Sequence, residues 1–448
     1  MSGLQQWRSG YFSRFLAHLR MPLYRNGYAL AFSAVSSAML GFLYWALAAR
    51  YYTTEAVGLN SAAIAAMTFL ASVARLYLDG VLIRFLPRAG VKARRLIRYA
   101  YFISGMAAAA VGILFILGLN FWAPALGFLR TSPALAVGFI LGTIAYCIFD
   151  QQDGVLTGLR QAKWVPLENT LFALAKLLLL VMLAKPLPDY GMFFSWMIPV
   201  LVSLIPVNLL IFRKLLPQHI RESSEPEAGI GVLQIVQYAG GHYTGYLFLT
   251  ASLRLLPLIV LQMAGSSAAA FFTLPWMIVT SLRLVTLGMM GSLTVEASRD
   301  KTKLVKYSRR ALAQTACLLV PVVVFLLIGA PYLLHIFGQS YASEASLLLR
   351  LLSVATLPQI VTGLYLGVAR VQRWIGGAIA VQASLCVMVL SFSYLFLAEF
   401  GITGVGVAWL ISQTVVALIL CFFTQLRPLL WRAGDLSRAH SLDSGELI

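Results

Sequence analysis

The 448-residue chain is 60% hydrophobic and only 11% charged, with a formal net charge of +18 and a mean hydropathy of +0.83. Soluble globular chains carry about 25% charged residues, so this composition excludes a water-soluble domain and marks a polytopic membrane protein. The cations sit beside apolar stretches, where the positive-inside rule accounts for them, and nucleic acid is set aside as a partner.

Crossing about 30 Å of hydrocarbon takes about 20 apolar residues, and twelve such stretches succeed one another along the chain. A segment 1–26 with Arg8, Arg14, Arg20 and Arg25 precedes the first of them. The stretch 27–49 is free of charge and has no evident cleavage site, so it reads as a retained helix and not as a signal peptide. Five more follow at 57–83, 99–121, 134–157, 167–184 and 191–212. A polar connection, 213–231, beginning "RKLLPQHIRESSEPEAG", separates them from 232–261, 268–295, 311–330, 345–369, 374–397 and 402–423. The expected organisation is therefore a six-helix lobe over 27–212, a cytoplasmic linker over 213–231, a second six-helix lobe over 232–424 and a tail over 425–448.

Of the 34 Lys and Arg, only Arg50, Arg130 and Lys185 fall in connections on the side opposite the N-terminus. That bias predicts cytoplasmic N- and C-termini. Each half holds an even number of crossings and so enters from the same side, as in a parallel repeat about an axis along the membrane normal. The expected fold class is all-α, with about twelve membrane helices in two lobes of pseudo-twofold symmetry.

Five cations lie within the stretches: Arg75 in the second, Lys176 in the fifth, Arg254 in the seventh, Arg283 in the eighth and Arg350 in the tenth. Each costs about 2.5–3.5 kcal/mol at a helix centre, which facing water, a partner or a ligand avoids. Counting about 1.5 Å per residue sets Lys176 and Arg283 near mid-membrane, Arg75 in the cytoplasmic third, and Arg254 and Arg350 toward the outer face. Asp79 follows Arg75 by four residues and offers a local ion pair, while Arg254 and Arg350 have the alternative of reaching outward to headgroups. Lys176 and Arg283 have no acid within one turn and are the leading candidates to line a cavity and meet an anionic cargo. Asp79, Asp150 and Asp153 cluster at the cytoplasmic ends of the second and fourth stretches, where bracing a gate against Arg75, Arg84 or Arg160 and coupling to H+ or Na+ are both open. Glu55, Glu296 and Glu344 read as interfacial.

Other chemistry is poorly represented. Cys147, Cys317, Cys386 and Cys421 stand singly in apolar runs, without the spacing of a metal site or a disulfide framework. No GxxxxGK[ST], HExxH or GxSxG occurs, so neither a cofactor nor a metal is expected. "GITGVGVAW" (401–409) suits helix packing better than nucleotide binding, and Pro199, Pro206, Pro275, Pro321 and Pro358 read as kinks within membrane helices.

"YWALAARYYTTEAVGLNSAA" (44–63), "DGVLIRFLP" (79–87), "DQQDGVLTGLRQAKWVPLENTLFALAKLLLL" (150–180) and "FGQSYASEASLLLRLLSVATLP" (337–358) resemble the polysaccharide-biosynthesis flippases of the multidrug/oligosaccharidyl-lipid/polysaccharide (MOP) exporter superfamily. The likeness runs over residues 28–423. It implies two six-helix lobes about a cavity that opens alternately to each side, in a bacterial cytoplasmic membrane. It further implies a cargo of oligosaccharide on polyprenyl pyrophosphate, moved without ATP at the expense of an ion gradient for surface-glycan or exopolysaccharide assembly, with glycosyltransferases and a glycan polymerase as partners. Arg75, Lys176, Arg283 and Arg350 match positions where such flippases tend to be charged. No clear acidic cluster lies deep in the N-terminal half, which separates the chain from the drug-exporting branch. A multidrug or metabolite exporter of the same fold, a membrane glycosyltransferase or polymerase, and a non-transporting scaffold of glycan assembly are the alternatives. The short outer connections disfavour the enzyme.

Overall fold

The computed structural model describes residues 39–222, 231–299 and 301–423. Among these residues every regular element is helical, and ten segments are long and apolar enough to cross a bilayer. One of them, Val232–Ala297, is 66 residues long, or roughly 100 Å of helix, and so holds two crossings of a core about 30 Å thick. Its break falls at Gly265, where φ 86 and ψ 177 lie in a region open to glycine alone. The protein is thus the all-helical polytopic membrane protein that its composition implies. Of the predicted stretch 27–49, residues 39–49 belong to a helix over 39–51 (α1). The remainder of that stretch, the segment 1–26, residues 223–230 of the polar connection and the tail 425–448 lie outside the described residues.

Two compact units divide the chain, Met1–Thr273 and Leu274–Ile448. In the first, α2 (Thr54–Ala74) begins where the Thr53 hydroxyl accepts the Ala56 N–H at 3.2 Å, with Glu55 in its first turn, satisfying an orphan donor and favouring the positive end of the helix. The second predicted stretch, 57–83, is not one helix. It divides into α2 and α3 (Leu78–Phe85) at a bend where Leu76 and Tyr77 have φ 53 and 58, a left-handed conformation that bulky residues avoid. Tertiary packing overrides the apolar pattern here, because the bend delivers the Tyr77 ring into a stack with His242 at 5.3 Å and against Tyr238 and Tyr246.

α4 (Ala93–Leu117) and α5 (Pro133–Gly158) follow, the latter capped by Ser132, whose hydroxyl accepts the Ala134 N–H, with proline at its first position. Next come α6 (Trp164–Leu183) and α7 (Gly191–Leu210). A wide turn, Ile211–Leu215, carries α7 onward into α8 (Leu216–Glu222). Ile211, Leu215 and Leu216 are buried with Leu82, Ile97 and Leu156, so apolar packing prolongs the helix well into the polar connection. α9 (Val232–Arg254) packs on α2 and α3 within the same unit. α5 is central, touching α2, α3, α4 and α7. At Gly158 a Cβ would lie 2.7 Å from the Leu82 carbonyl oxygen, so α3 and α5 meet backbone against backbone, as small residues allow in membrane helices.

The unit boundary falls inside α10 (Leu256–Arg299). The second unit continues with α11 (Leu304–His335), α12 (Gln339–Gln372), α13 (Ile375–Phe400) and α14 (Ile402–Phe423). α12 packs against α11, α13 and α14, and Leu293, Leu364, Val368, Val381, Val416 and Leu420 form a core among them. In both units large apolar side chains such as Leu178, Ile205, Phe325 and Ile328 are exposed, the outward apolar surface that lipid requires and water would penalise.

The α3–α5 contact yields a direct expectation. Gly158→Val should lower stability by about 1–3 kcal/mol through overpacking, read as a fall in the unfolding temperature of purified protein in detergent. An unchanged transition would mean that the two backbones do not touch.

Candidate functional site

Arg75 sits at the bend between α2 and α3, and the fold gathers three side chains around it. Its Nη1 donates to Asp150 Oδ2 on α5 at 2.8 Å, its Nε lies 3.8 Å from Asp79 Oδ1 on α3, and its Nη2 donates to the Tyr246 hydroxyl on α9. The Tyr246 ring also lies under the guanidinium, 5.4 Å from centroid to Cζ. Only 8% of the residue is exposed. The Arg75–Asp79 contact expected along one helical face does form, but across the bend. An arginine at a helix centre costs about 2.5–3.5 kcal/mol, and one carboxylate about 4 Å away attracts it by roughly 4 kcal/mol at an effective dielectric near 20. Two carboxylates and a hydroxyl offset its burial, although the acids carry desolvation costs of their own. The ended helix contributes too: the Tyr243 hydroxyl donates to the Val73 carbonyl at 2.7 Å, one of the acceptors that a helix terminus leaves unpaired.

A second tier lies two turns earlier on α2. Arg254, the last residue of α9, donates through Nη1 to Thr68 Oγ1 at 2.8 Å and lies close enough to Tyr146 on α5 to interact electrostatically with it. Arg254 therefore points inward to α2 and α5.

The carboxylates extend away from Arg75. Asp153, one turn beyond Asp150, accepts from Asn169 Nδ2 at 3.4 Å through Oδ2, while its Oδ1 has no hydrogen-bond partner. It forms no ion pair with Arg84 or Arg160 among the described residues; Arg84 lies instead 4.4 Å from the Tyr238 ring centroid. Glu168 on α6 is 6% exposed, interacts electrostatically with Asp153 and Asp150, and has both oxygens without a hydrogen-bond partner. Glu168, in the first turns of α6, is brought beside Asp150 and Asp153 near the end of α5 by the turn between the two helices. Among the described residues no three His, Cys, Asp or Glu converge closely enough to hold a metal ion.

Lys176 lies two turns along α6 from Glu168 and is 6% exposed. Its ammonium rests 4.1 Å from the ring centroid of Trp196, 4.7 Å from that of Tyr44 and 5.3 Å from that of Phe172. Three aromatic faces stabilise the charge by their quadrupoles, and among the described residues no carboxylate pairs with it. The box is itself braced, since the Tyr44 hydroxyl lies 2.9 Å from Ser195 Oγ and donates to the Met192 carbonyl.

Arg283 and Arg350 belong to the second unit. Arg283 on α10 is half-buried; its one described electrostatic neighbour is another cation, Arg370. Arg350 on α12 donates from Nε to the Leu327 carbonyl on α11 at 2.9 Å. That carbonyl lies four residues before Pro331, which has no N–H to give it, so Arg350 replaces the helix bond that proline removes. Arg75, Arg254, Asp79, Asp150 and Asp153 are thus brought together in the first unit, with Lys176 farther along α6, while Arg283 and Arg350 stand apart in the second. Sequence reasoning missed Glu168, Tyr246 and the aromatic box. The recurrence of Tyr238, His242 and Tyr246 every four residues on α9 is the signal that was available.

This helical arrangement is found in solved transporters. An inward-facing multidrug resistance MATE family transporter of the MOP superfamily superposes with TM-score 0.66 and 16% identity, over 87% of this chain and 96% of that chain. A MATE structure in complex with MaL6 gives TM-score 0.63 and 17% identity over 90% and 95% of the two chains. A MOP superfamily transporter from Pyrococcus furiosus, described as having a binding pocket of reverse polarity, gives TM-score 0.64 and 16% identity over 92% and 98%. The fold is therefore that of the MATE transporters. No family model and no curated protein matches the chain.

Two outcomes test the geometry. Asp150→Asn should cost about 3 kcal/mol or more by leaving Arg75 under-compensated, and the double variant Arg75→Met, Asp150→Leu should regain most of that loss in unfolding experiments. Arg350→Met should cost about 1–3 kcal/mol by orphaning the Leu327 carbonyl, and markedly less in a Pro331→Ala background, where the helix supplies its own donor.

Proposed function

We propose that this chain is a secondary transporter that carries oligosaccharide linked to polyprenyl pyrophosphate across the bacterial cytoplasmic membrane by alternating access. The fold shared with MATE transporters supports membrane export in general. The observation that carries the cargo assignment is the state of Lys176 and Arg283: two deep cations with no carboxylate partner among the described residues. A pyrophosphate that loses water needs charge-assisted donors, and these two groups retain the capacity to provide them. The sequence likeness to polysaccharide flippases points the same way. Arg75 and Arg254 are committed to protein partners and serve to couple α2, α3, α5 and α9, and Arg350 ties α11 to α12. Asp79, Asp150 and Asp153 are the carboxylates through which H+ or Na+ would be coupled. Glycosyltransferases and a glycan polymerase would then act before and after the transport step, at a membrane that holds both termini on its cytoplasmic side.

Export of a lipophilic cation is the second reading, and the buried acids Asp153 and Glu168 favour it. The described polarity of the Pyrococcus furiosus pocket indicates that this fold accepts pockets of differing charge. A scaffold without transport would need neither the cations nor the acids.

Deleting the gene should leave lipid-linked oligosaccharide accumulated in the cytoplasmic leaflet. Lys176→Met and Arg283→Ala should each lower surface glycan about tenfold or more at normal protein abundance, the size expected when a charged hydrogen bond is lost. Normal glycan with new sensitivity to lipophilic cations in the deletion strain would replace this reading with the exporter.

A further inference from the structure

A groove of about 310 Å³ runs between α6 and α7 in the first unit. Pro199 and Pro206 both line it; seven residues apart, they share one face of α7 and present rings in place of N–H groups there. Leu171 and Val202, 58% and 62% exposed, form its rim on the apolar outer surface, so it opens toward lipid. Its walls are otherwise apolar apart from Ser203, whose hydroxyl is spent on the Val200 carbonyl, and two groups one helical turn apart on α6. Glu168 presents two carboxylate oxygens, and Trp164 an indole N–H, none with a hydrogen-bond partner.

A buried acceptor and a buried donor left unmade each cost about 1–3 kcal/mol, more for a charged group, and native structures rarely tolerate such groups without a purpose. The unpaired oxygens belong to a carboxyl with a second carboxyl, Asp153, beside it, and the partner that would hold such a group ionised is a cation that donates hydrogen bonds. The missing partner at Trp164 is an acceptor, since an indole only donates. Lys163, exposed and adjacent to Trp164, adds positive charge on that side. A ligand that carries an ammonium and an anionic acceptor a few ångströms apart, on an apolar body, satisfies all three.

We propose that this groove binds a phospholipid with a primary-amine headgroup, its ammonium on Glu168, its phosphate against Trp164 and Lys163, and its chain along Leu171, Val202 and Pro206. The groove shares the Phe172 ring with the box around Lys176, but its polar groups, Glu168 and Trp164, are not among the cations assigned to cargo, and the proposal does not depend on the cargo reading. Phosphatidylcholine, whose quaternary ammonium has no N–H, and phosphatidylglycerol, which has no ammonium, lack the matching group.

The test is lipid retention by purified protein exposed to an equimolar mixture of phosphatidylethanolamine, phosphatidylcholine and phosphatidylglycerol, read by native mass spectrometry. Wild type should retain phosphatidylethanolamine about tenfold over the others, and Glu168→Gln should abolish that preference. Val202→Trp fills the groove from its lipid-facing rim with Glu168 intact, and should lower phosphatidylethanolamine retention without changing the unfolding temperature. Equal retention of the three lipids by wild type overturns the proposal, as does an undiminished preference in Glu168→Gln, which would make Glu168 a neutral buried acid. Dodecylamine distinguishes the source of the amine. Displacement of phosphatidylethanolamine by it supports the shared chemistry, whereas Glu168-dependent binding of dodecylamine without lipid preference assigns the groove to free lipophilic amines and sinks the lipid proposal.

Discussion

The first unit is organised around the need to keep one guanidinium charged inside a membrane. Arg75 is nine-tenths buried, and no single helix supplies what it requires. Asp79 comes from α3, Asp150 from α5 and Tyr246 from α9. Because each partner is on a different helix, the charge fixes where those helices stand. Close packing at Gly158 and the break after Ala74 serve the same arrangement, one by bringing α3 to α5, the other by turning α3 so that Asp79 faces back toward the arginine.

The five membrane cations meet the cost of burial in different ways. Arg75 uses carboxylates, Arg254 a threonine hydroxyl, Lys176 aromatic faces and Arg350 a carbonyl released by proline. Arg283 has a cation for its described electrostatic neighbour. The energetic distinction matters for function. A cation neutralised by carboxylates is expensive to disturb, while one resting on rings or standing near a like charge gains by meeting an anion. The proposed cargo contacts follow from that difference and not from depth alone.

The all-helical membrane class and most helix limits were legible in the sequence, because lipid forces about 20 apolar residues into every crossing. The bend at Leu76–Tyr77 was not legible: leucine and tyrosine both continue the apolar run, Arg75 and Asp79 on either side have the spacing of one helical face, and neither glycine nor proline stands at the break. The prolonged α7–α8 helix was hidden for the opposite reason, since its polar residues mask Ile211, Leu215 and Leu216, which pack inward. At the site, the pairing of Arg75 with Asp79 could be read from a spacing of four residues. Glu168 could not be joined to Asp153 because the link runs through a turn and not along a helix. The inward reach of Arg254 and the tie made by Arg350 likewise depend on which helix stands alongside.

The left-handed pair at the end of α2 carries one more consequence. Glycine there would make a loose joint with many accessible angles, whereas leucine and tyrosine are uncomfortable in that conformation and hold it only under restraint from neighbours. The restraint is the stack of Tyr77 with His242 and the rings beside it on α9. The angle at which α3 departs is consequently set by another helix, like a latch whose spring and catch are on different parts, and any displacement of α9 relieves local strain at the same moment that it loosens the grip on Arg75.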